Sequence, residues 1–140
     1  MNDVVLRIVV RLLLPMILMY ALYIQLHGEY SPGGGFQAGV IFAAGFIVYS
    51  LVHDLDSVKK IIPPLFVRIT AALGIFLYAG IGVLTMGMGG KFLDYSALHS
   101  DKLSGQNIGI MLVELGVGLT VFAVIMLIFY SFGERSNNDA

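Results

Sequence analysis

Four runs of apolar residues, separated by short polar stretches, organise this chain: roughly 4–26, 36–52, 64–88 and 108–132. At about 1.5 Å of rise per residue, a helix of about 20 residues crosses the roughly 30 Å hydrocarbon layer of a bilayer, so each run predicts one spanning helix. The second run is on the short side, whereas the third and fourth are long enough to tilt. The expected fold is an all-α integral membrane protein with four transmembrane helices, a single membrane unit over 1–140 with no internal repeat.

The polar punctuation refines that expectation. Arg7 and Arg11 stand near the start of the first run, where long stems lie along acyl chains and guanidiniums reach headgroups. Pro15 removes a backbone hydrogen bond and should bend the helix, while Tyr20, Tyr23 and Tyr30 cluster toward the other interface as an aromatic belt. The run after Arg11 is long enough to span and no small-residue cleavage site follows it, so it reads as a retained helix rather than a signal peptide. His53-Asp54-Leu55-Asp56, Lys59 and Lys60 make a short charged hairpin linker before Pro63-Pro64 restarts a helix. The stretch 89–107 is the longest polar connection and should pack on something or carry a short helix of its own. The tail 133–140 reads as a helix stop and a short disordered end.

Composition agrees with membrane residence. The chain is 58% hydrophobic, with mean hydropathy +0.89, far from an ordinary small soluble domain. A net charge of −1 supplies no basic field for nucleic acid. With no cysteine there are no disulfides, thiolate metal sites or thiol catalysis. Arg7, Arg11, Lys59, Lys60, Arg68 and Arg135 fall at one set of helix ends, against only Lys91 and Lys102 at the other. The positive-inside rule therefore predicts both termini in the cytoplasm.

Between the first two runs stands Ser31-Pro32-Gly33-Gly34-Gly35-Phe36-Gln37-Ala38-Gly39. Three glycines permit backbone angles that a Cβ forbids, and Pro32 fixes one φ, so the stretch encodes a tight backbone shape. It lacks the Lys-Ser/Thr of a phosphate loop. Two readings remain: a re-entry turn, or a helix N-terminus whose free N–H groups and positive dipole end face an anion, a carboxylate or an ion pathway.

Glu114 is the only acidic residue inside a predicted span, about six residues from the outer end of the fourth. An ionised carboxylate at the bilayer centre costs on the order of 2.5–3.5 kcal/mol, so Glu114 must be protonated, paired or turned to a polar cavity. It is a candidate either for ion or proton contact or for a structural tie to another helix. On a helical wheel, Gly105, Gly109, Gly116 and Thr120 fall within about 60°, a small-residue stripe for close packing, with Glu114, Gly118 and Phe122 on the opposite side. Covering both sides is more than four helices should manage, which points to a partner protein. Gln25 and His27 stand at the outer end of the first span, near the glycine turn, as further candidate contacts. His27, His53 and His99 read as interfacial, with no carboxylate or thiolate at metal-ligand spacing. No residue pattern supports a catalytic centre, a metal site or a bound cofactor.

The run Glu29-Tyr30-Ser31-Pro32-Gly33-Gly34-Gly35-Phe36-Gln37-Ala38-Gly39, between the first and second of four spans, closely resembles the MrpB (MnhB) subunits of multisubunit cation/proton antiporters. The resemblance implies a non-enzymatic subunit of a prokaryotic cytoplasmic membrane, in a complex that exchanges cytoplasmic Na⁺ for external protons and serves pH and sodium homeostasis. Its partners would be other Mrp-type subunits, including large antiporter-like ones that carry the proton channels. The match carries over Pro32, Gly33, Gly34, Gly35, Phe36 and Gln37 as a signature loop; it does not supply Glu114. Similar subunits occur in the Na⁺-translocating module of membrane-bound hydrogenases, and a purely structural assembly subunit is the other alternative.

Overall fold

A computed structural model describes residues 4–26, 34–87, 89 and 102–139. Five helices follow in order: α1 (Val4–Leu26), α2 (Gly35–His53), α3 (Leu55–Ile61), α4 (Pro64–Gly87) and α5 (Lys102–Asp139). Four are long and apolar enough to cross a membrane, over Val4–Leu26, Gly35–His53, Pro64–Gly87 and the Gly109–Ser136 part of α5.

The four long helices form a row in which α1 packs on α2, α2 on α5, and α5 on α4. Glycine sets two of these approaches. Gly45 of α2 lies under Leu14, Ile17 and Leu18 of α1, whose side-chain carbons come within 3.2–3.5 Å of where a Cβ would stand. Gly74 of α4 meets the Gly116 carbonyl and Thr120 of α5, with the carbonyl oxygen 2.7 Å from the site of a Cβ. Gly116 and Thr120 of the wheel's small-residue stripe thus face α4, and the Thr120 hydroxyl is satisfied by its own helix, donating to the Gly116 carbonyl at 2.8 Å.

The core fills one half of the bundle: Ala43 and Phe46 of α2, Val58 of α3, Val67 of α4, and Phe122, Ala123, Met126 and Tyr130 of α5. Phe42 meets Phe122 edge-on, ring centroids 5.1 Å apart at 89°, a favoured aromatic geometry.

The structure departs from the sequence expectations in three places. The charged linker contains α3, whose Val58 is fully buried, so it is a packed element rather than a bare hairpin. A residue in left-handed backbone, Asp54 at φ 110°, separates α2 from α3. The tail does not stop at Gly133: α5 continues to Asp139, and Gly133 lies against the Leu55 side chain, while Lys59 pairs with Glu134. At its other end α5 begins at Lys102, inside the expected loop, of which 90–101 lie outside the described residues. Pro15 lies within α1, as expected of a residue inside the first span.

Candidate functional site

The glycine stretch delivers the start of α2 onto the middle of α5. Gly34 is the N-cap, at φ 114° and ψ −147°, a conformation essentially reserved for glycine. The first turn-closing bond is Ala38 N–H to the Gly34 carbonyl, at 3.0 Å. The N–H groups of Gly35, Phe36 and Gln37 precede that bond, as the orphan donors of a helix start do, and the N-cap offers no side chain to receive them.

Glu114 occupies the space that such a side chain would fill. Its Oε1 lies 2.6 Å and its Oε2 3.3 Å from the position of a Cβ on Gly34, and its backbone carbonyl is pressed against Gly35. The carboxylate therefore sits at the positive end of the α2 dipole, where a negative group is favoured. Glu114 is half-buried and engaged in polar or electrostatic interaction.

One turn further along, the contact repeats. A Cβ on Gly39 would stand 2.7 Å from the Gly118 carbonyl and 3.0 Å from Val121 Cβ. Gly118 in turn is covered by Gln25 Oε1 of α1, with the Gly35 carbonyl 3.2 Å from its own absent Cβ. Three helices thus converge through backbone and two polar side chains, Gln25 and Glu114. Among the signature residues, Gly34 and Gly35 are buried, whereas Phe36 (65% exposed) and Gln37 project away from this junction. Pro32, Gly33 and His27 lie outside the described residues.

This arrangement corrects one inference from the wheel. Both sides of α5 are covered from within the chain, by α4 over Gly116 and Thr120 and by α2 over Glu114 and Gly118. The carboxylate's position supplies no argument for a partner. What the wheel could not show is that glycines on the neighbouring helix remove the Cβ layer and let a backbone, rather than a side chain, meet the carboxylate.

Below the junction an apolar groove of about 300 Å³ opens between the helices, floored by Ala38, Gly39 and Gly118 and walled by Leu22, Leu119 and Phe122. Among the described residues, no group of three or more His, Cys, Asp or Glu side chains could hold a metal ion.

A second polar cluster was not expected from sequence. His53 ends α2, at the edge of the span, and is tied into the bundle: it is 7% exposed, stacks on Tyr49 at 4.3 Å and accepts a hydrogen bond from Arg11 Nε at 3.0 Å. Arg11 is thus turned to the neighbouring helix. The only signal in the sequence was the one-turn spacing of Tyr49 and His53, and nothing there marked Arg11 as their partner.

Comparison with known proteins is consistent along the whole chain. Residues 5–127 match the model of a domain related to the MnhB subunit of Na⁺/H⁺ antiporters. The chain is 30% identical over 141 residues to a Na⁺/H⁺ antiporter subunit of Bacillus subtilis (strain 168), covering 96% of this chain and 95% of that one. It is 34% identical over 139 residues to the putative antiporter subunit mnhB2 of Staphylococcus aureus (strain Newman), covering 96% and 98%.

Proposed function

We infer the function from the premise that this chain belongs to the family of domains related to the MnhB subunit of Na⁺/H⁺ antiporters, a multi-pass protein of the cell membrane in a family of transporter components. It serves as a small subunit that a multisubunit Na⁺/H⁺ antiporter needs for assembly, beside large antiporter-like subunits that carry the ions. Potential-driven Na⁺ efflux and proton uptake belong to the complex and not to this chain alone.

The subunit reading rests on the family match, and what supports a structural rather than an ion-carrying part for this chain is the seat of Glu114 on the Gly34–Gly35 backbone. A carboxylate placed there caps a helix that has no capping side chain of its own, so it pins the signature turn to α5. Among the described residues of the α2–α5 seam, the layers that follow it are apolar. The next layers of the α2–α5 seam are Phe42, Phe46, Phe122 and Met126, an aromatic and aliphatic core, which is a poor path for a hydrated ion. Phe36 and Gln37, exposed beside the pinned turn, form the face offered to a neighbouring subunit.

Neutral and truncated variants separate a pin from an ion ligand. Glu114→Gln keeps shape and hydrogen bonding, and is expected to assemble and exchange ions nearly as the parent does, whereas Glu114→Ala loses complex. Complex yield and antiport against pH are the measurements. A Glu114→Gln complex that assembles normally but exchanges poorly, with altered pH or Na⁺ dependence, would make Glu114 an ion or proton contact instead. Purification in mild detergent tests the assembly itself. Large antiporter-like subunits should accompany the chain, hydrogenase subunits would assign it to the related module, and an isolated homodimer would overturn the reading. The cation asymmetry supports both termini in the cytoplasm, in which case a cysteine at Ser57 should be shielded from an impermeant reagent and one at Ser31 should react; the reverse would invert the topology.

A further inference from the structure

The seam between α1 and α2 is closed, where α1 begins and α2 ends, by a contact that exists in one protonation state only. Arg11 Nε donates to His53 Nε2 across 3.0 Å. Arginine has donors and no acceptor, so Nε2 must present its lone pair and the ring's single proton is on Nδ1. That nitrogen is buried without a hydrogen-bond partner. Tyr49 stacks on the ring with planes 9° apart, so the imidazole is held flat by one neighbour and at its edge by another. Arg11 itself is exposed on the outside of the bundle, so nothing else among the described residues fixes its guanidinium over that edge.

The charged groups of the neighbouring elements decide what a second proton would do to the contact. From α1, Arg7 stands one turn before Arg11; after His53 come Asp54, then Asp56, Lys59 and Lys60 of α3; α4 brings Arg68; α5 brings Tyr130, Glu134 and Arg135. Glu134 is already paired with Lys59, and the Tyr130 hydroxyl donates to the Ile62 carbonyl at 2.8 Å. A proton on Nε2 removes the acceptor and sets two cations edge to edge. The helix that would yield is α1. Only 11% of its most apolar stretch is buried, against 28–44% for the other three spans, and its main support is α2. At its far end the same helix lays Gln25 on Gly118.

We propose that the Arg11–His53 contact is a pH-sensitive latch, holding the first turns of α1 against α2 while His53 is neutral and releasing them when it is protonated. The latch rests on hydrogen-bond geometry and burial, and stands whether or not the chain serves an antiporter. The chain has no cysteine, so spin labels can be placed cleanly at Ile8→Cys and Leu51→Cys, both exposed, in the chain as assembled in its membrane. Their distance is followed from about pH 8 to about pH 5, the range over which histidines change charge, together with the ¹⁵N resonances of the His53 ring. The expected result is a reversible lengthening on acidification that tracks the ring's titration. His53→Gln, whose amide oxygen accepts from Arg11 at every pH, is expected to hold the short distance throughout, and Arg11→Met to give one distance without pH dependence. The latch is refuted by a parent distance that stays fixed while His53 titrates, by a ring that does not titrate in this range, or by a pH response that survives in either variant. Should His53→Gln fail to accumulate, Arg11→Met decides alone.

Discussion

The α2–α5 seam has two halves built on opposite principles. Toward the start of α2, Gly35 and Gly39 meet the backbone of Glu114 and Gly118, and Gly34 meets the Glu114 carboxylate, so that glycine backbone takes the place of side chains on the α2 side. Toward the end of α2, Phe42 and Phe46 interlock with Phe122 and Met126 through bulk. Water expulsion does little to hold helices together in lipid, so close backbone approach and dense side-chain contact are the two means available. They fail differently. A backbone contact has no rotamer to yield, whereas an interlocked core relaxes in part around a cavity.

The largest effect should come from the position with least room. In Gly35→Ala the new methyl is driven into the Glu114 carbonyl oxygen, and neither backbone can turn aside. We expect a loss above about 3 kcal/mol, beyond the common range for overpacking, seen as collapse of folded yield in detergent; near-parental stability would show that the seam adjusts.

Gly34→Val and Ala38→Val sharpen the comparison within one turn. Gly34 combines a positive φ with a Cβ position 2.6 Å from Glu114 Oε1, whereas Ala38 lines the groove of about 300 Å³, which can take two more methyl groups. Most assembled complex should be lost in the first and kept in the second. Equal tolerance of both would reduce the glycine run to a spacer.

In the interlocked half, Phe122→Ala should cost about 2 kcal/mol, below the usual range for water-soluble cores, because the inserted but unpacked helix faces lipid rather than water. Reversible unfolding in mixed micelles gives the value. A cost matching that of Gly35→Ala would erase the distinction between the halves.

The smallest effect has the opposite sign. Gly80 of α4 has nothing within 4 Å of its Cβ position, so Gly80→Ala should stabilise by about 0.5–1 kcal/mol through helix propensity alone. A loss at Gly80 would mean that this face of α4 is pressed against another protein.

Sequence alone exposed the part of this fold that depends on solvent. Apolar runs long enough to span are a local property, and they located four helices. Three features depend on how helices meet and were beyond the reach of a wheel. Gly118 lay on the polar side of the wheel with no evident use, because its neighbours Gln25 and Gly35 come from two other helices. His53 stands in sequence at the end of a span, before two aspartates and two lysines; that its ring is covered by Tyr49 and Arg11 is a tertiary fact. The extension of α5 beyond Gly133 contradicts the ordinary meaning of glycine near a helix end, and the reason is local packing: α3 lies against it, through Leu55 and the Lys59–Glu134 pair.

One helix joins all of this to the bilayer. The 38 residues of α5, at about 1.5 Å each, make a rod of about 57 Å, nearly twice the roughly 30 Å of hydrocarbon it crosses. The rod is clasped on one side by Gly74 and on the other by Gly35 and Gly39, so it cannot lean without carrying α2 and α4 with it. A thinner or thicker membrane therefore acts on the bundle as a unit, and the tilt of the exposed Phe36 and Gln37 becomes a function of lipid chain length.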